Sequence, residues 1–480
     1  MDAEEFCRHG KEMIDYVADY LENIRERRVF PTVEPGYLRK LIPEEAPEEG
    51  ESFEDIFKDV ERVIMPGITH WQSPNFHAYF PTGSSYPAIV ADILSGSFGG
   101  VGFSWASSPA CTELEVVVLD WLAKMLELPE SFLASSGGTG GGVIQGTASE
   151  ATLVALLSAR AREILRYKQT NGHSDDGVIM SKFVAYCSDQ SHSSVEKAGL
   201  IACIRMRKLP TDADCSLRGQ TLRDAINEDR AHGLIPIYVC ATLGTTPSCA
   251  FDCVKELGVV CQEESIWMHI DAAYAGSAFI CPEFRPLLEG VEFAESFNFN
   301  AHKWLKVNFD CSVMWVRNSN LITGPFNVES LYLKHQHQGA MPDYRHWQIP
   351  MGRRFRSLKL WFVLRTYGRK ELQNYIRKDV SLAHLFEGMV VADGKFEIVQ
   401  KVVLGLVSFR LKNASNATNE RLLKAINADG RINMVPAEIR GVYFLRFVVC
   451  ASRTTDSDVM FAWDVIRELT ESILKDSDNK

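Results

Sequence analysis

Three side chains that could carry out amine and proton chemistry occur in order along the chain: His192, Asp271 and Lys303. Lys303 stands between a histidine and a tryptophan. Burial and a neighbouring cation lower the pKa of a lysine and free its amine for imine formation. Asp271 ends an apolar run, where a buried carboxylate needs a partner such as a cationic ring nitrogen. Taken alone, each residue also has a structural explanation: a loop histidine, an internal salt bridge, or a lysine whose stem lies along apolar surface.

A glycine-rich segment leads into a long helical pattern. Glycines 140–142 and a short apolar run precede Ala148 and Ser149, where the pattern of a helix over 149–165 begins. Small residues at a helix start let backbone N–H groups approach a phosphate, and the helix dipole assists. A tight turn explains the glycines as well, and their spacing fits neither GxGxxG nor GK[ST].

In combination, these groups match the requirements of pyridoxal 5'-phosphate (PLP). The aldehyde needs an amine, the pyridine nitrogen needs an anion, and the phosphate needs N–H donors. The protonated ring is an electron sink for a carbanion at the Cα of an amino acid. We therefore expect PLP as the cofactor and a small-molecule amino acid as the substrate.

The elements that position these groups alternate between short apolar strands and helices. The predicted strands are 183–187, 236–242, 266–270, 296–299 and 313–316, with helices over 149–165 and 222–229. This alternation predicts an α/β fold with a mainly parallel sheet covered on both faces. Ligands bind at the carboxyl ends of such strands, where the candidate residues lie.

Three regions are predicted along the chain: a helical arm over 1–85, a large cofactor-binding α/β domain over 86–360 and a small α+β domain over 361–480. The arm contains two amphipathic helices, and Asp2 with Glu5 resembles a capping box. Because these helices cannot bury their apolar faces alone, they need the main body or a partner subunit. The last region contains predicted strands over 403–411 and 442–450 and a closing helix.

Composition restricts the classes of protein that fit. The 480 residues are 46% hydrophobic and 24% charged, and 51 basic against 62 acidic residues give a net charge of −11, which disfavours nucleic-acid binding. No apolar run is long enough for a membrane span, and the charged N-terminus differs from a signal peptide. The 12 scattered cysteines contain no CxxC pair. We therefore expect reduced thiols, a cytoplasmic location and no metal.

Several motifs, in one order, resemble those of the group II PLP-dependent decarboxylases of the aspartate aminotransferase fold (fold type I), and within them the branch that acts on aromatic amino acids. The similarity covers essentially the whole chain. The residues that carry it are 35–38, 102–105, 108–115, 271–274, 308–311, 344–350 and 353–357.

The resemblance implies a role for each candidate residue. Lys303 would bind the cofactor's aldehyde, Asp271 would hold the pyridinium, and His192 would stack on the ring and assist protonation. Tyr332, in a mobile loop, would be the proton donor; an exposed loop tyrosine is the structural alternative. The residues expected around the phosphate are Ala148, Ser149, Asn300 and His302, and those lining the cofactor are Thr246 and Ala273.

An aromatic cluster suits a flat substrate side chain, although core packing explains such a cluster too. The resemblance implies substrate contacts from Trp71, Tyr79, Phe80, Thr82, His192 and Gly352, and from Val101 and Phe103 of a second subunit. The active site would then lie at the interface of a homodimer.

The expected reaction is decarboxylation of aromatic L-amino acids, L-dopa and 5-hydroxytryptophan, to amines and CO₂ in monoamine synthesis. Insect aromatic aldehyde synthases, which decarboxylate and oxidatively deaminate, typically carry asparagine at the position of His192. Histidine decarboxylases usually have serine at that of Gly352 and tyrosine at that of Phe80. Tyrosine decarboxylase stays open.

An inactive scaffold protein with this fold is the alternative from another class. Loss of Lys303, Asp271 or Tyr332 would indicate it, and the chain retains all three. The chain departs from the family pattern at Gln72, Ala301 and Lys306.

Overall fold

The computed structural model describes residues 1–172, 174–328, 339 and 341–478. The chain separates into two compact units. The terminal unit combines Met1–Pro81 with the chain from Ser381 onward, and the central unit is Thr82–Val380. The N-terminal helices therefore share a unit with the C-terminal sheet, and the predicted three-part division of the chain stays a prediction.

Two sheets organise the described residues. In chain order the strands are β1 (Gly141–Gln145), β2 (Phe183–Ser188), β3 (Arg205–Leu209), β4 (Ile235–Thr242), β5 (Trp267–Asp271), β6 (Ser296–Asn300), β7 (Ser312–Val316), β8 (Phe396–Ile398), β9 (Leu406–Leu411), β10 (Val435–Ile439) and β11 (Val442–Val448). The central sheet has the order β1-β7-β6-β5-β4-β2-β3, and the terminal unit's sheet has the order β10-β11-β9-β8.

The central sheet is mainly parallel, as predicted. Strand β7 runs antiparallel to both β1 and β6, whereas the pairs from β6 through to β3 are parallel. Every residue of β1, β2, β5, β6 and β7 is buried. The predicted strands do not include β1 or β3. The glycines of β1, and the exposed and charged residues of β3 at the sheet edge, differ from a buried strand's apolar pattern.

Helices surround both sheets. In chain order they are α1 (Ala3–Glu22), α2 (Phe53–Asp59), α3 (Tyr86–Phe98), α4 (Pro109–Leu126), α5 (Ala148–Asn171), α6 (Asp176–Met180), α7 (Ser193–Ala202), α8 (Gly219–Ala231), α9 (Val254–Glu264), α10 (Ala301–Trp304), α11 (Ser319–Thr323), α12 (Arg356–Asp393), α13 (Asn416–Asp429) and α14 (Asp456–Asp478). The predicted capping box of Asp2 and Glu5 at α1 is confirmed. Of the helices in the described ranges, none is long and apolar enough to cross a membrane.

Aromatic rings fill the core of the terminal unit. Phe386 of α12 stacks on Phe447 of β11 with ring centroids 3.7 Å apart, and it meets Phe409 and Trp463 edge to face. Such pairs stabilise a core beyond the area that they bury. The antiparallel strands β8 to β11 thus pack on α12, α13 and α14 through one apolar cluster.

Candidate active site

The carboxyl ends of β4, β5 and β6 lie side by side at one edge of the central sheet. Thr242 at the end of β4 pairs with Asp271 at the end of β5, and Asp271 pairs in turn with Asn298 of β6. Neighbouring strands are about 4.8 Å apart, so the side chains that follow them share one small region. This edge is where open α/β sheets bind ligands.

Asp271 is the acidic group of this region. Its side chain is buried, with 3% of the residue's surface exposed, and Oδ1 accepts a hydrogen bond from the N–H of Ala273 at 3.0 Å. The strand ends one residue later than the sequence predicts, which makes Asp271 its last residue. The carboxylate therefore lies at the carboxyl ends of the strands, where a cationic ligand group can reach it.

His192 precedes α7 and caps its first turn. Its Nδ1 accepts a hydrogen bond from the N–H of Ser194 at 3.2 Å. Because that N–H can only donate, the neutral ring carries its proton on Nε2. Burial lowers the pKa of His192; the charge of Asp271 opposes this effect and the cation of Lys303 adds to it. The three residues singled out from the sequence therefore lie within electrostatic reach of one another.

Lys303 is half-buried on the four-residue helix α10, directly after β6. The preceding His302 is buried, and its Nδ1 accepts a hydrogen bond from the N–H of Cys311 at 2.9 Å. Burial, reinforced by the cation of Lys303, lowers the pKa of His302 to about 3. The imidazole is therefore neutral near pH 7 and offers Nε2–H as a donor. It does not supply the neighbouring positive charge that the sequence suggested for Lys303.

Asn300 and the start of α5 flank the beginning of β7. Ser312, the first residue of β7, pairs with Gln145 on one side and Asn300 on the other. Ala148 and Ser149 follow Gln145 as the first helical residues, whose N–H groups have no partner within a helix. These positions suit a phosphate between a helix N-terminus and the residues after β6.

The side chain of Asn300 provides a test of that fit. Asn300 is buried, and among the described residues its Oδ1 has no hydrogen-bond partner. A bound molecule can supply the missing donor; with the amide turned over, the NH₂ group faces an anion instead. The residues present therefore fit a phosphorylated cofactor.

The loop after β4 closes back on itself beside Asp271. Leu243 and Phe251 form an isolated bridge, and Gly244 adopts the left-handed region with φ of +81°. A Cβ on Gly244 would lie 2.8 Å from the Cβ of Ala275, so a side chain there would displace the segment after Asp271. Thr246 in this loop and Ala273 are half-buried, which leaves part of each surface available to a ligand.

Two groups of predicted substrate residues lie in the central unit. Thr82 precedes Gly83, whose N–H donates to the carbonyl of His302 at 2.5 Å. Val101 lies beside Gly352, because a Cβ on that glycine would be 3.6 Å from Val101 Cγ1. Phe103 is held in the same segment: its carbonyl accepts a hydrogen bond from Arg345 at 3.2 Å. Val101, Phe103 and Gly352 therefore form one group within a single chain.

The remaining aromatic candidates belong to the terminal unit. Trp71 stacks on Tyr79 with centroids 5.1 Å apart and an interplanar angle of 12°, and Phe80 lies under the guanidinium of Arg446. Tyr79 has a φ of +57° and is 53% exposed, so its ring is not part of the core. Tyr332 lies outside the described residues.

A buried ion pair that was not predicted from the sequence supports this region. Arg353 pairs with Glu115, both almost without exposed surface, and Glu115 Oε1 accepts the N–H of Ile144 at 2.7 Å. The pair ties α4, β1 and the segment of Gly352 together. Its signal was the opposite charge of two of the resembling motifs, with glutamates in 108–115 and arginines in 353–357.

Comparisons with known proteins extend over nearly the whole chain. Residues 35–412 match the family model of the pyridoxal-dependent decarboxylase conserved domain. The aromatic-L-amino-acid decarboxylase of Mus musculus is 60% identical over 477 residues, which cover 99% of each chain. The structure of Oryza sativa TDC with PLP and tryptamine matches with a TM-score of 0.95 and 38% identity, over 98% of this chain and 99% of that one. Rhodiola rosea 4-hydroxyphenylacetaldehyde synthase matches with a TM-score of 0.91 and 40% identity over the same shares.

Proposed function

Because the chain belongs to the pyridoxal-dependent decarboxylase family, we propose that it decarboxylates the aromatic L-amino acids L-dopa and 5-hydroxytryptophan to their amines and CO₂ in monoamine synthesis. The predicted fold type I architecture and PLP as the cofactor are confirmed. The observation that carries the proposal is the convergence of His192, Asp271 and Lys303 at the carboxyl edge of the central sheet.

The chain's own residues supply binding and orientation. When bound, the cofactor accepts the electron pair of the breaking Cα–carboxylate bond. The amine of Lys303 attaches the cofactor, and the buried carboxylate of Asp271 holds the proton on the ring nitrogen. The N–H groups of Ala148 and Ser149, which have no partner within the helix, favour the phosphate.

Further residues complete the cofactor site. Asn300 and the Nε2–H of His302 would donate to the phosphate oxygens, and Thr246 and Ala273 would line the cofactor. His192, with its proton on Nε2, would cover the ring face and assist protonation. Its lowered pKa keeps it neutral near pH 7, so it does not oppose the cationic ring.

Protonation of the substrate carbon decides between amine and aldehyde, and we assign the proton donor to Tyr332. A Tyr332→Phe variant keeps the ring and lacks only the hydroxyl. It is expected to lower the yield of amine and raise that of aldehyde, both measured by chromatography after consumption of L-dopa. An unchanged ratio of amine to aldehyde would contradict this role.

We assign the recognition of the flat substrate side chain to Trp71, Tyr79, Phe80, Thr82, His192 and Gly352, with Val101 and Phe103 contributed by a second subunit. Val101 and Phe103 lie in one segment, which backbone hydrogen bonds to Arg345 and Arg353 hold in place, and this supports their joint contribution. Helix α3, which precedes this group, exposes a row of large apolar side chains that a second copy would cover: Tyr86, Val90, Ile93 and Phe98.

The proposed homodimer can be tested by mixing two inactive variants. Lys303→Ala lacks the attachment site, and Val101→Asp disrupts the contribution to the other subunit. If Val101 acts across the interface, co-refolded mixtures regain activity, because one of the two sites in a mixed dimer has both intact parts. No recovery in mixtures that light scattering shows to be dimeric would contradict the shared site.

We also propose a cytoplasmic location. All 12 cysteines lie within the described residues, and none of them is in a disulfide there. Burial raises the pKa of Cys187 and of Cys311 to about 12, so these thiols are unreactive core residues. A reducing compartment suits such a set.

The test of function is a substrate panel of L-dopa, 5-hydroxytryptophan, tyrosine and histidine. Carbon dioxide, amine, aldehyde and hydrogen peroxide are measured in the same incubations. We expect CO₂ and amine in equal amounts from L-dopa and 5-hydroxytryptophan, with little peroxide. Preferred turnover of tyrosine or histidine would replace the proposed substrates, and a protein that stays colourless with added PLP would indicate an inactive scaffold.

The match to an aldehyde synthase supports a second candidate, decarboxylation with oxidative deamination. Aldehyde and peroxide formed in equal amounts with little amine would establish it. His192→Asn separates the two reactions, since the amide cannot reproduce the imidazole's proton chemistry. We expect this variant to form more aldehyde than the unaltered enzyme does.

A further inference from the structure

A buried carboxylate on α12 holds the tryptophan next to Lys303. Asp379 has no exposed surface, and its Oδ2 accepts a hydrogen bond from Nε1 of Trp304 at 2.8 Å. The Trp304 ring stacks on Tyr274, with centroids 4.8 Å apart and an interplanar angle of 15°. Tyr274 lies three residues after Asp271. Trp304 thus follows Lys303 directly in the chain and stacks on a residue close to Asp271.

A second lysine, Lys306, follows α10 by two residues and lies over two aromatic rings of α12. The Nζ of Lys306 is 4.3 Å from the ring centroid of Tyr375 and 5.2 Å from that of Tyr367. Its backbone is left-handed, with φ of +57°, and its carbonyl accepts a hydrogen bond from Ser85 Oγ at 2.8 Å. A cation over tyrosine rings in a partly desolvated site is held there by the ring quadrupoles.

The charge state of Asp379 depends on these neighbours. Burial raises the pKa of Asp379 to about 7, and this effect is opposed by the hydrogen bond from Trp304, the cations of Lys378 and Lys306, and a hydrogen bond from Tyr375. A charged acceptor makes a hydrogen bond about twice as strong as a neutral one. Removal of a neighbouring cation would therefore weaken the hold on Trp304 near pH 7.

We propose that Lys306 and Asp379 are positioning residues: the cation over the tyrosine rings favours the negatively charged form of the carboxylate, and the carboxylate fixes Trp304 and with it the turn that carries Lys303. The inference rests on the proposed function in one respect, namely that Lys303 is the residue that attaches the cofactor. Neither residue contacts the reacting atoms in this arrangement. Their effect is on the geometry of attachment.

The first test measures how long the holoenzyme retains PLP after rapid gel filtration, over a range of pH. Lys306→Met removes the charge and keeps a similar length, whereas Lys306→Arg keeps the charge. Lys370→Met is the matched control, because Lys370 is exposed on α12, the helix that carries Asp379. We expect Lys306→Met to lose PLP about tenfold faster at pH 7, with a smaller difference at pH 8.5, where Asp379 ionises without help.

The two comparison variants make the outcome decisive. Lys306→Arg, whose guanidinium also binds over tyrosine rings, and Lys370→Met are expected to stay within about twofold of the unaltered enzyme. A Lys306→Met enzyme that retains PLP as the unaltered one does at every pH would overturn the proposal. An equal acceleration at pH 7 and pH 8.5 would also overturn it, because the effect would then not act through the charge of Asp379.

The second test observes Trp304 directly and does not depend on the stability of Lys306→Met. The enzyme is labelled with 5-fluorotryptophan, and the ¹⁹F resonance of Trp304 is assigned by its loss in Trp304→Phe. This resonance should titrate with a midpoint near pH 7, and the titration should vanish in Asp379→Asn. A resonance that does not change with pH in the unaltered enzyme would refute the proposal.

Neither measurement uses an amino-acid substrate. If the enzyme retained PLP but released no CO₂ from any aromatic amino acid, the proposed function would fail while both tests of the positioning network could still be read.

Discussion

Each of the two units contains a histidine with no exposed surface. One histidine is surrounded by polar side chains and the other packs on an aromatic ring. Burial lowers the pKa of both His77 in the terminal unit and His269 in the central unit to about 4. In the central sheet, His269 Nδ1 bonds to Ser296 Oγ at 2.8 Å and Nε2 bonds to Asn298 Oδ1 at 3.1 Å. Both ring nitrogens are thus paired by polar side chains of β6.

His77 is held mainly by packing. Its Nδ1 donates to the carbonyl of Val448 at 3.0 Å, and its ring stacks on Phe447 with centroids 4.0 Å apart. Within the described residues Nε2 has no hydrogen-bond partner. The difference indicates that polar pairing with β6 holds His269, two residues before Asp271, whereas aromatic contact mainly holds His77.

The sharpest test of this division replaces the proposed attachment residue. Lys303→Ala should lower turnover about 10³-fold or more, because no other amine can take the place of Lys303. The thermal unfolding midpoint should stay within a few degrees of that of the unaltered enzyme, since the side chain is half-buried and follows the carboxyl end of β6. CO₂ release and differential scanning fluorimetry measure the two effects. Lys370→Ala serves as the control. Near-normal turnover of Lys303→Ala would contradict the assignment of cofactor attachment to Lys303 of the central unit.

The converse test removes an aromatic ring from the terminal unit. Phe386→Ala should lower the free energy of unfolding by about 3–5 kcal/mol, because it leaves a cavity beside Phe447 and Trp463. Turnover per folded molecule should change little. Urea unfolding followed by fluorescence measures the loss, and Val391→Ala, exposed on the same helix, is the control. A loss below 1 kcal/mol would show that aromatic packing is not what stabilises this unit.

Much of the central sheet could be predicted from sequence because its strands are local apolar runs. The strands that contain Cys187, Cys240 and Phe297 lie within a residue or two of their predicted bounds. The order of His192, Asp271 and Lys303 also indicated the cofactor, because parallel strands bring their carboxyl ends to one edge.

The contacts that could not be predicted from the sequence join segments far apart in the chain. The pairing of Ser312 with both Gln145 and Asn300 depends on an antiparallel strand between two strands far apart in the chain, which no local pattern specifies. The packing of Val101 beside Gly352 has the same origin. The neutral state of His302 depends on its depth of burial, which residue order alone does not give.

Acid should destabilise both units over the same window. A histidine with an unfolded-state pKa near 6.5 and a folded-state pKa of about 4 stays neutral in the fold while the unfolded chain takes up a proton. Stability contributed by His77 and His269 is therefore intact above pH 6.5 and is lost as pH falls towards 4. Each can account for about 3 kcal/mol when the loss is complete. Urea unfolding at pH 7, 6 and 5 measures the slope, and a stability that does not change over this range would contradict the neutral burial of both.

The smallest effect, and the closest test of the comparison, comes from replacing each ring by an apolar one. His77→Phe keeps the stack on Phe447 and removes the unpaired Nε2, but it leaves one buried acceptor, the carbonyl of Val448, without this donor, so it should cost about 1 kcal/mol. His269→Phe leaves two buried side chains of β6, Ser296 and Asn298, without their partner and should cost about 2–3 kcal/mol. Equal losses in urea unfolding would mean that the two histidines are held by the same kind of interaction. A smaller loss for His77→Phe, with a reduced acid dependence in both variants, would confirm that polar pairing is essential only in the unit that carries the proposed chemistry.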